Sequence, residues 1–358
     1  MNKNVIGYGS FFHKVDPSTF QSSPEIEFGA DYELFYSGRN ALKYLLILIG
    51  TYQKVKTIWI PGYYCPFVKS WLEHEFNNIS YYEINPFDPH EEVDWSKFTN
   101  NQDIIIVNNY WGLKKNLIPK SSRPVVIEDH SHGWQSTGCL ESRADFCFAS
   151  LRKTVPLPLG GIAWKPSSSR SDISLRKEDL FEIPQPDNDM ERSWELISKS
   201  MELKASCKYS GDKKQYLELY AQGESILRSA FDIFPLESSK KLLLEKIIFK
   251  DFRYYKEQNS KLIIPKIEKN DFFSVLHKKG FTPFGLLLIF KNREELLSLK
   301  KFLISKSVYP AELWPDNSID YEHQFLLNIH IDFRYDEEDL EYIAQCINHW
   351  SNIYSDGI

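Results

Sequence analysis

Cysteine is scarce in this chain of 358 residues, and what there is does not cluster. The five residues, Cys65, Cys139, Cys147, Cys207 and Cys346, are odd in number, widely spaced and form no C-x-x-C pair. That pattern argues against a disulfide framework and against a zinc knuckle. Long apolar runs are missing too, since none approaches the ~20 residues needed to span a bilayer. The opening MNKNVIGYGSFFHKVD has neither the apolar centre nor the small-residue cleavage site of a secretory leader. Positive charge is not in excess either. The 43 Lys and Arg against 49 Asp and Glu leave a formal charge of -6, whereas nucleic-acid-binding domains are normally basic. Basic pairs such as Lys240 and Lys241 read as solvated helix faces. The expectation is a cytoplasmic protein with no nucleic-acid partner and no membrane partner.

What is plentiful is core material. A hydrophobic fraction of 42%, with 24 Phe and 20 Tyr, is ample for one large domain with an appendage, or for two domains. Between residues 37 and 164 short apolar runs alternate with amphipathic stretches. The runs are Thr57–Ile60, Ile79–Tyr82, Ile104–Val107, Val125–Ile127, Phe146–Ala149 and Ile162–Trp164. Helical spacing of apolar residues marks Arg39–Ile49 and Pro66–Glu73. Continuously apolar strands separated by helices predict an α/β fold, a mostly parallel sheet with helices on both faces. Residues 166–185 read as a polar surface loop, and helical patterns dominate from Glu191 to Asn259. A smaller C-terminal α/β unit is predicted from GLLLIF, a helix over Arg293–Lys306, the strand FLLNIHIDF and the helix DEEDLEYIAQCINHW. The boundary falls near residue 245. That gives a large domain over 1–245 and a small one over 246–358, with the first thirty or so residues placed against the small domain.

Chemistry gathers at three places. In VVIEDHSHGW, β-branched residues run into Asp129, His130 and His132, and the carboxyl ends of parallel strands are where ligands bind. Alternatively, Asp129 caps the next helix and the histidines lie at the surface. A metal held by Asp129, His130 and His132 is a further reading, but no third nitrogen or sulfur ligand follows at suggestive spacing. In FYSGRNALKYLL, a glycine before a helical pattern offers free N–H groups to a phosphate. No Walker or dinucleotide glycine motif accompanies it. In CFASLRKTVPLPLGGIAW, Lys153 ends an apolar run, either as a snorkelling surface lysine or as a nucleophilic amine. Together, a phosphate seat, an acid at a strand end and a lysine 24 positions later on another strand are the parts needed to hold pyridoxal 5'-phosphate. The cofactor requires an amine for its aldehyde and a carboxylate at its pyridine nitrogen.

These segments resemble the DegT/DnrJ/EryC1/StrS family of PLP-dependent, fold-type-I sugar aminotransferases. SGRNAL is similar to that family's early phosphate turn, and IPGYYCPFV to its strand and turn over the cofactor ring. IIIVNNYWG, VVIEDHSHGW, SLRKTVPLPLGG and the closing NIHIDFRYDEEDLEYIAQCI match in the same order. The likeness is clear over residues 35–165 and weaker in the C-terminal fifth. It implies Lys153 as the catalytic residue, Asp129 at the pyridine nitrogen and His132 on the ring-hydroxyl side. At the phosphate it implies Gly38, Arg39, Asn40 and Ser150. It also implies a homodimer with active sites at the subunit interface, a glutamate-type amino donor and a nucleotide-linked keto sugar as acceptor, in polysaccharide or aminosugar biosynthesis.

The departures from the family pattern define alternatives. Arg39 replaces a small hydroxyl residue, and its guanidinium is a candidate for a charge-assisted phosphate contact. Cys65 stands where relatives have a ring-stacking aromatic, which makes Tyr63 or Tyr64 the candidate stacker. Ser150 lies closer to the lysine than in most relatives, and no match to the family's partner-subunit loop is found over 166–240. In VYPAELWPD, Glu312 or Trp314 is a candidate to cover the substrate, or the segment is an ordinary strand edge. A sugar dehydratase or lyase is one alternative function, which the intact lysine disfavours. A non-catalytic regulatory protein on the same fold is another.

Overall fold

The structure, a computed structural model, describes residues 3–22, 31–175, 188–209, 211–230, 232–234, 236–317 and 319–355. It opens with a single helical turn, α1 (Lys3–Ile6), and a two-residue strand, β1 (Tyr8–Gly9). Then follow β2 (Tyr32–Phe35), α2 (Gly38–Tyr52), β3 (Ile58–Pro61), α3 (Pro66–Glu75), β4 (Ile79–Tyr82), β5 (Ile104–Asn108), β6 (Val125–Asp129), α4 (Thr137–Leu140), β7 (Phe146–Ser150) and β8 (Gly161–Trp164). Four helices come next: α5 (Asn188–Ser206), α6 (Asp212–Ser229), α7 (Ser238–Ile248) and α8 (Arg253–Ile263). The C-terminal part contains β9 (Phe273–Val275), β10 (Leu286–Phe290), α9 (Arg293–Ser305), β11 (Val308–Tyr309), β12 (Ala311–Glu312), β13 (Phe325–Ile329) and α10 (Glu337–Ser355).

The large sheet has seven strands in the order β2-β8-β7-β6-β5-β3-β4. The five strands from β4 to β7 run parallel, and only β8 runs against its neighbours. Every residue of β5 and of β8 is buried, as expected of strands covered on both faces. All six predicted apolar runs are strands of this sheet. The strand that was not predicted, β2, is the reason for its own invisibility. It is a four-residue edge strand, YELF, whose first half is only partly buried, so it carries no continuous apolar signal. The polar stretch from 166 to 175 has no regular structure, and the rest of the predicted loop lies outside the described residues.

The smaller sheet is antiparallel, in the order β12-β13-β10-β9. Its pleat separates two cores. Leu286, Leu288, Phe290, Leu327 and Ile329 pack with residues of α9 and α10, whereas Leu287, Ile289 and Leu326 join the core of the large sheet. The predicted strand FLLNIHIDF stops early, at Ile329. The chain turns there because Asp332 folds back on Arg334, accepting from its Nε and Nη2 at 2.7 Å each. The same guanidinium reaches the N-terminal segment, donating to the carbonyls of Ser10 at 3.1 Å and of Gly9 and Phe11 at 3.3 Å. The hydroxyl of Tyr335 accepts the N–H of Gly9, and Lys204 Nζ donates to the Phe11 carbonyl. Strand β1 is thereby laid parallel to β11, with Tyr8 beside Val308 and Gly9 beside Tyr309.

Candidate active site

Three strand ends and one helix start meet at a single edge of the large sheet. Asp129 is the last residue of β6 and Ser150 the last of β7. Gly161, the first residue of β8, stands opposite both Ser150 and Phe35, so the end of β2 arrives at the same edge. Helix α2 starts just beyond, capped by Ser37, whose Oγ accepts the Asn40 N–H at 3.2 Å. Two glycines allow this convergence. A Cβ on Gly161 would collide with the Ser37 carbonyl and the Gly38 nitrogen, and one on Gly38 would stand 2.9 Å from Ser150 Cβ. The first-turn N–H groups of Gly38 and Arg39 have no partner within the helix and carry the positive end of its dipole.

A cavity of about 580 Å³ opens in front of this edge. Of the residues singled out from sequence, Gly38, Arg39, Asp129, His132, Ser150 and Lys153 line it; Asn40, Tyr63 and Tyr64 do not. Lys153 is not on a strand, as expected, but on a single 3-10 turn, Leu151–Lys153, directly after β7. Its Nζ lies 3.3 Å from His132 Nε2. Asp129 is fixed on both oxygens. Oδ1 accepts the Ser131 N–H at 2.8 Å and Oδ2 accepts the Tyr64 hydroxyl at 2.5 Å. Burial, together with the Asp129 charge, pushes the Tyr64 hydroxyl well above its ordinary range, so it stays a donor.

His132 sits in an aromatic cage. Its ring stacks on Trp111 at 5.1 Å and lies 4.5 Å from Phe284 and 5.0 Å from Trp314. Burial first, and then the Lys153 and Lys256 cations, hold its pKa well below the usual value, so the imidazole is uncharged at neutral pH. Both tryptophans of the cage have left-handed backbone, with φ of 59 at Trp111 and 53 at Trp314. That conformation is unfavourable for a bulky residue and tends to be kept at functional sites.

Three expectations change in the structure. Neither Tyr63 nor Tyr64 presents a ring face to the cavity: Tyr63 packs edge-on against Phe87, and Tyr64 is fully buried behind Asp129. Cys65 lines the cavity at that place. The Arg39 guanidinium does not face a phosphate seat either. It donates to the carbonyls of Leu227 and Arg228 at the end of α6, where a helix leaves carbonyls unpaired. Asn40 likewise works as a tether, its Nδ2 donating to the Asp232 carbonyl at 2.7 Å. Of the two candidates in VYPAELWPD, Trp314 lines the cavity, while Glu312 is drawn away by Arg293 at 3.0 Å and Lys300 at 3.6 Å.

Other lining groups were not foreseen. The Arg152 guanidinium grips both carboxylate oxygens of Glu224 and contacts the Tyr220 hydroxyl at 3.3 Å. Tyr220 and Glu224 are four apart on α6, so helical spacing placed them on one face; that signal was legible. The Ser131 hydroxyl accepts the Ser150 N–H at 3.0 Å, joining the ends of β6 and β7. The metal reading of Asp129, His130 and His132 fails because β6 ends at Asp129, so the two histidines do not share one face of a strand. His130 points to the opposite side, with Glu128 and Cys147, and among the described residues those three form the one metal-like group. Its hydrogen bonding is internal: Asn109 Nδ2 donates to His130 Nδ1 at 3.1 Å, and Glu128 accepts from Asn116 at 2.7 Å and Ser142 at 2.5 Å.

Half-buried histidines held neutral near the cavity make the fold sensitive to acid. Burial and the neighbouring Arg334 lower His330 to about 3 and His13 to about 4. The unfolded chain takes up protons at these sites below about pH 6.5 and the folded one does not, so stability falls as the pH drops from there towards 4. At pH 5 each site costs about 2 kcal/mol relative to pH 7. Denaturant midpoints at the two pH values measure the loss, and His330→Gln is expected to shrink it.

No protein-family profile matches the chain, and no curated protein matches it. Solved structures do. Spr1654 of Streptococcus pneumoniae, solved in its PLP form, superimposes with a TM-score of 0.59 at 11% identity, over 97% of this chain and 99% of that one. The sugar aminotransferase CalS13 of Micromonospora echinospora gives 0.55 at 11% identity, over 96% of this chain and 99% of that one. A DegT DnrJ EryC1 StrS aminotransferase of Brucella abortus gives 0.55 at 12% identity, over 93% and 92% of the two chains. Over nearly its whole length, this chain has the fold of the fold-type-I, PLP-dependent aminotransferases.

Proposed function

We propose that this chain is a PLP-dependent aminotransferase that moves an amino group from glutamate to a nucleotide-linked keto sugar. We read it as a cytoplasmic homodimer in polysaccharide or aminosugar biosynthesis, with a cofactor-binding domain up to about residue 245 and a small domain after it. One observation carries the reading: Lys153 and Asp129 open into the same cavity, beside a helix start free to receive a phosphate. The similar solved structures, sugar aminotransferases among them, support it.

The residues present fit pyridoxal phosphate. Asp129, held on two sides, keeps a lone pair for a pyridinium N–H. The N–H groups of Gly38 and Arg39, with Ser150 beside them, suit the phosphate. Once bound, the cofactor supplies an electron sink for the bond breaking at the substrate's α-carbon. With the cofactor in place, Lys153 would provide the amine for its aldehyde and would then hold and move the proton at the substrate carbon. Uncharged His132 orients that amine through the 3.3 Å contact without competing for its charge. Trp314 and Phe284 exclude water from the same side.

The test is spectroscopic. Protein reconstituted with pyridoxal phosphate should show a visible absorption band, lose it on addition of glutamate while releasing 2-oxoglutarate, and regain it with a keto sugar. No band rejects the cofactor. A band that glutamate never bleaches rejects turnover and favours the regulatory alternative.

A further inference from the structure

On the cavity side of the small sheet the side chains of β13 should follow the pleat as an apolar series, because this face packs on the large sheet. Leu326 obeys, as do its neighbours Leu287 and Ile289 on β10. Two residues further on the pattern breaks to Asn328, and after two more to His330, and both line the cavity. Asn328 is 0% exposed, and neither its amide nitrogen nor its amide oxygen has a hydrogen-bond partner. Its backbone is held in register on both sides, opposite Leu287 and Ala311, so the side chain is firmly aimed. The residue just before β10 also makes room for it: a Cβ on Gly285 would collide with Asn328 Oδ1. A buried amide left with both groups unpaired destabilises a core unless something else pairs with it.

We propose that Asn328, with His330 beside it, is a specificity-determining subsite that takes an uncharged hydroxyl-bearing part of the amino acceptor, and this rests on the function proposed above. The chemistry selects the class. The amide offers two donors and one acceptor, so its occupant must both accept and donate. A hydroxyl does both. A carboxylate accepts only; it leaves Oδ1 unpaired and sets two negative oxygens against each other. The nearby cations offer little remedy: Arg334 is already spent on Asp332 and the carbonyls of residues 9–11, and Lys256, which also acts on His330, stands over the Phe284 ring at 5.2 Å. The subsite therefore favours a polyhydroxylated ring over a keto acid at this end of the cavity.

The variant that tests this is Asn328→Leu, an apolar replacement of similar size, studied as the PLP-loaded enzyme. Acceptors are the UDP- and dTDP-linked 4-keto-6-deoxyhexoses, with pyruvate as an acidic control. The wild type should use a keto sugar in preference to pyruvate. The variant should lose about tenfold or more in kcat/KM for that sugar relative to its change with glutamate, the size of one lost hydrogen bond to a buried partner. Its thermal midpoint should hold or rise, since an unpaired buried amide has been removed. Asn328→Ser, which keeps a hydroxyl, should recover part of the sugar activity.

Three results overturn the subsite. One is unchanged selectivity in Asn328→Leu. Another is a fall of several degrees in its midpoint, which would show the amide already bonded inside the protein or to a trapped water. The third is a wild type that bleaches with glutamate but prefers pyruvate to both sugars, or uses neither sugar. An absent absorption band in the wild type would instead reject the cofactor and the function, whatever Asn328 does.

Discussion

Replacing Lys153 by alanine will remove the visible absorption band of the PLP-loaded protein and lower amino transfer by on the order of a thousandfold or more, as loss of a covalent catalytic group does. Lys153 lies on the turn Leu151–Lys153, and its amine touches only His132 among the described contacts, so the fold should survive the change. Far-UV circular dichroism and the thermal midpoint establish that. Lys153→Arg is the sharper variant: it keeps the positive charge next to His132, but a guanidinium does not condense with an aldehyde under these conditions. If Lys153→Arg retains the band and turnover, the amine is not the point of attachment and the mechanism fails.

Loss of the Asp129 carboxylate should show in activity and in stability, and two variants separate them. Asp129→Ala leaves the Ser131 N–H and the buried Tyr64 hydroxyl without an acceptor. A cost of about 1–3 kcal/mol for each buried orphan is expected in denaturant unfolding. Asp129→Asn keeps a carbonyl oxygen for one of those donors and should recover much of the stability. It should not recover the rate. A neutral amide does not hold a proton on a pyridine nitrogen, so both variants should fall by roughly 10²- to 10³-fold, the scale of removing one preorganised electrostatic partner. Near-normal turnover in Asp129→Asn would detach this residue from the cofactor's nitrogen.

The part of the fold that sequence foretold is the part in which one physical cause acts alone. Continuous apolar runs such as IIIV and the apolar spacing of Arg39–Ile49 have one stable outcome, a covered strand and a packed helix. Order along the chain then carried Gly38, Asp129, His132 and Lys153 to one cavity. Where two causes compete, sequence was a weaker guide. Tyr63 and Tyr64 have the right chemistry for a cofactor face, but a deep pocket behind Asp129 and a packing site against Phe87 claimed their rings. Arg39 was read by its charge and is placed by unpaired carbonyls at the end of α6, some 190 residues away in sequence, as the separations of 188 and 189 show. Asn328 could not be picked out within FLLNIHIDF, because only the sheet register reveals which face an isolated polar residue interrupts.

The pairing of β1 with β11 has a bearing on how the molecule is made. Gly9 meets Tyr335 across 326 positions of chain, and Ser10, Phe11 and Phe12 line the cavity wall held in part by such ties. A ribosome releases residues 8–12 long before Val308 or Arg334 exists, and the large sheet has every strand it needs by residue 164. The central sheet can therefore assemble during synthesis with that wall still missing, and the pocket acquires its last side only when translation is nearly over.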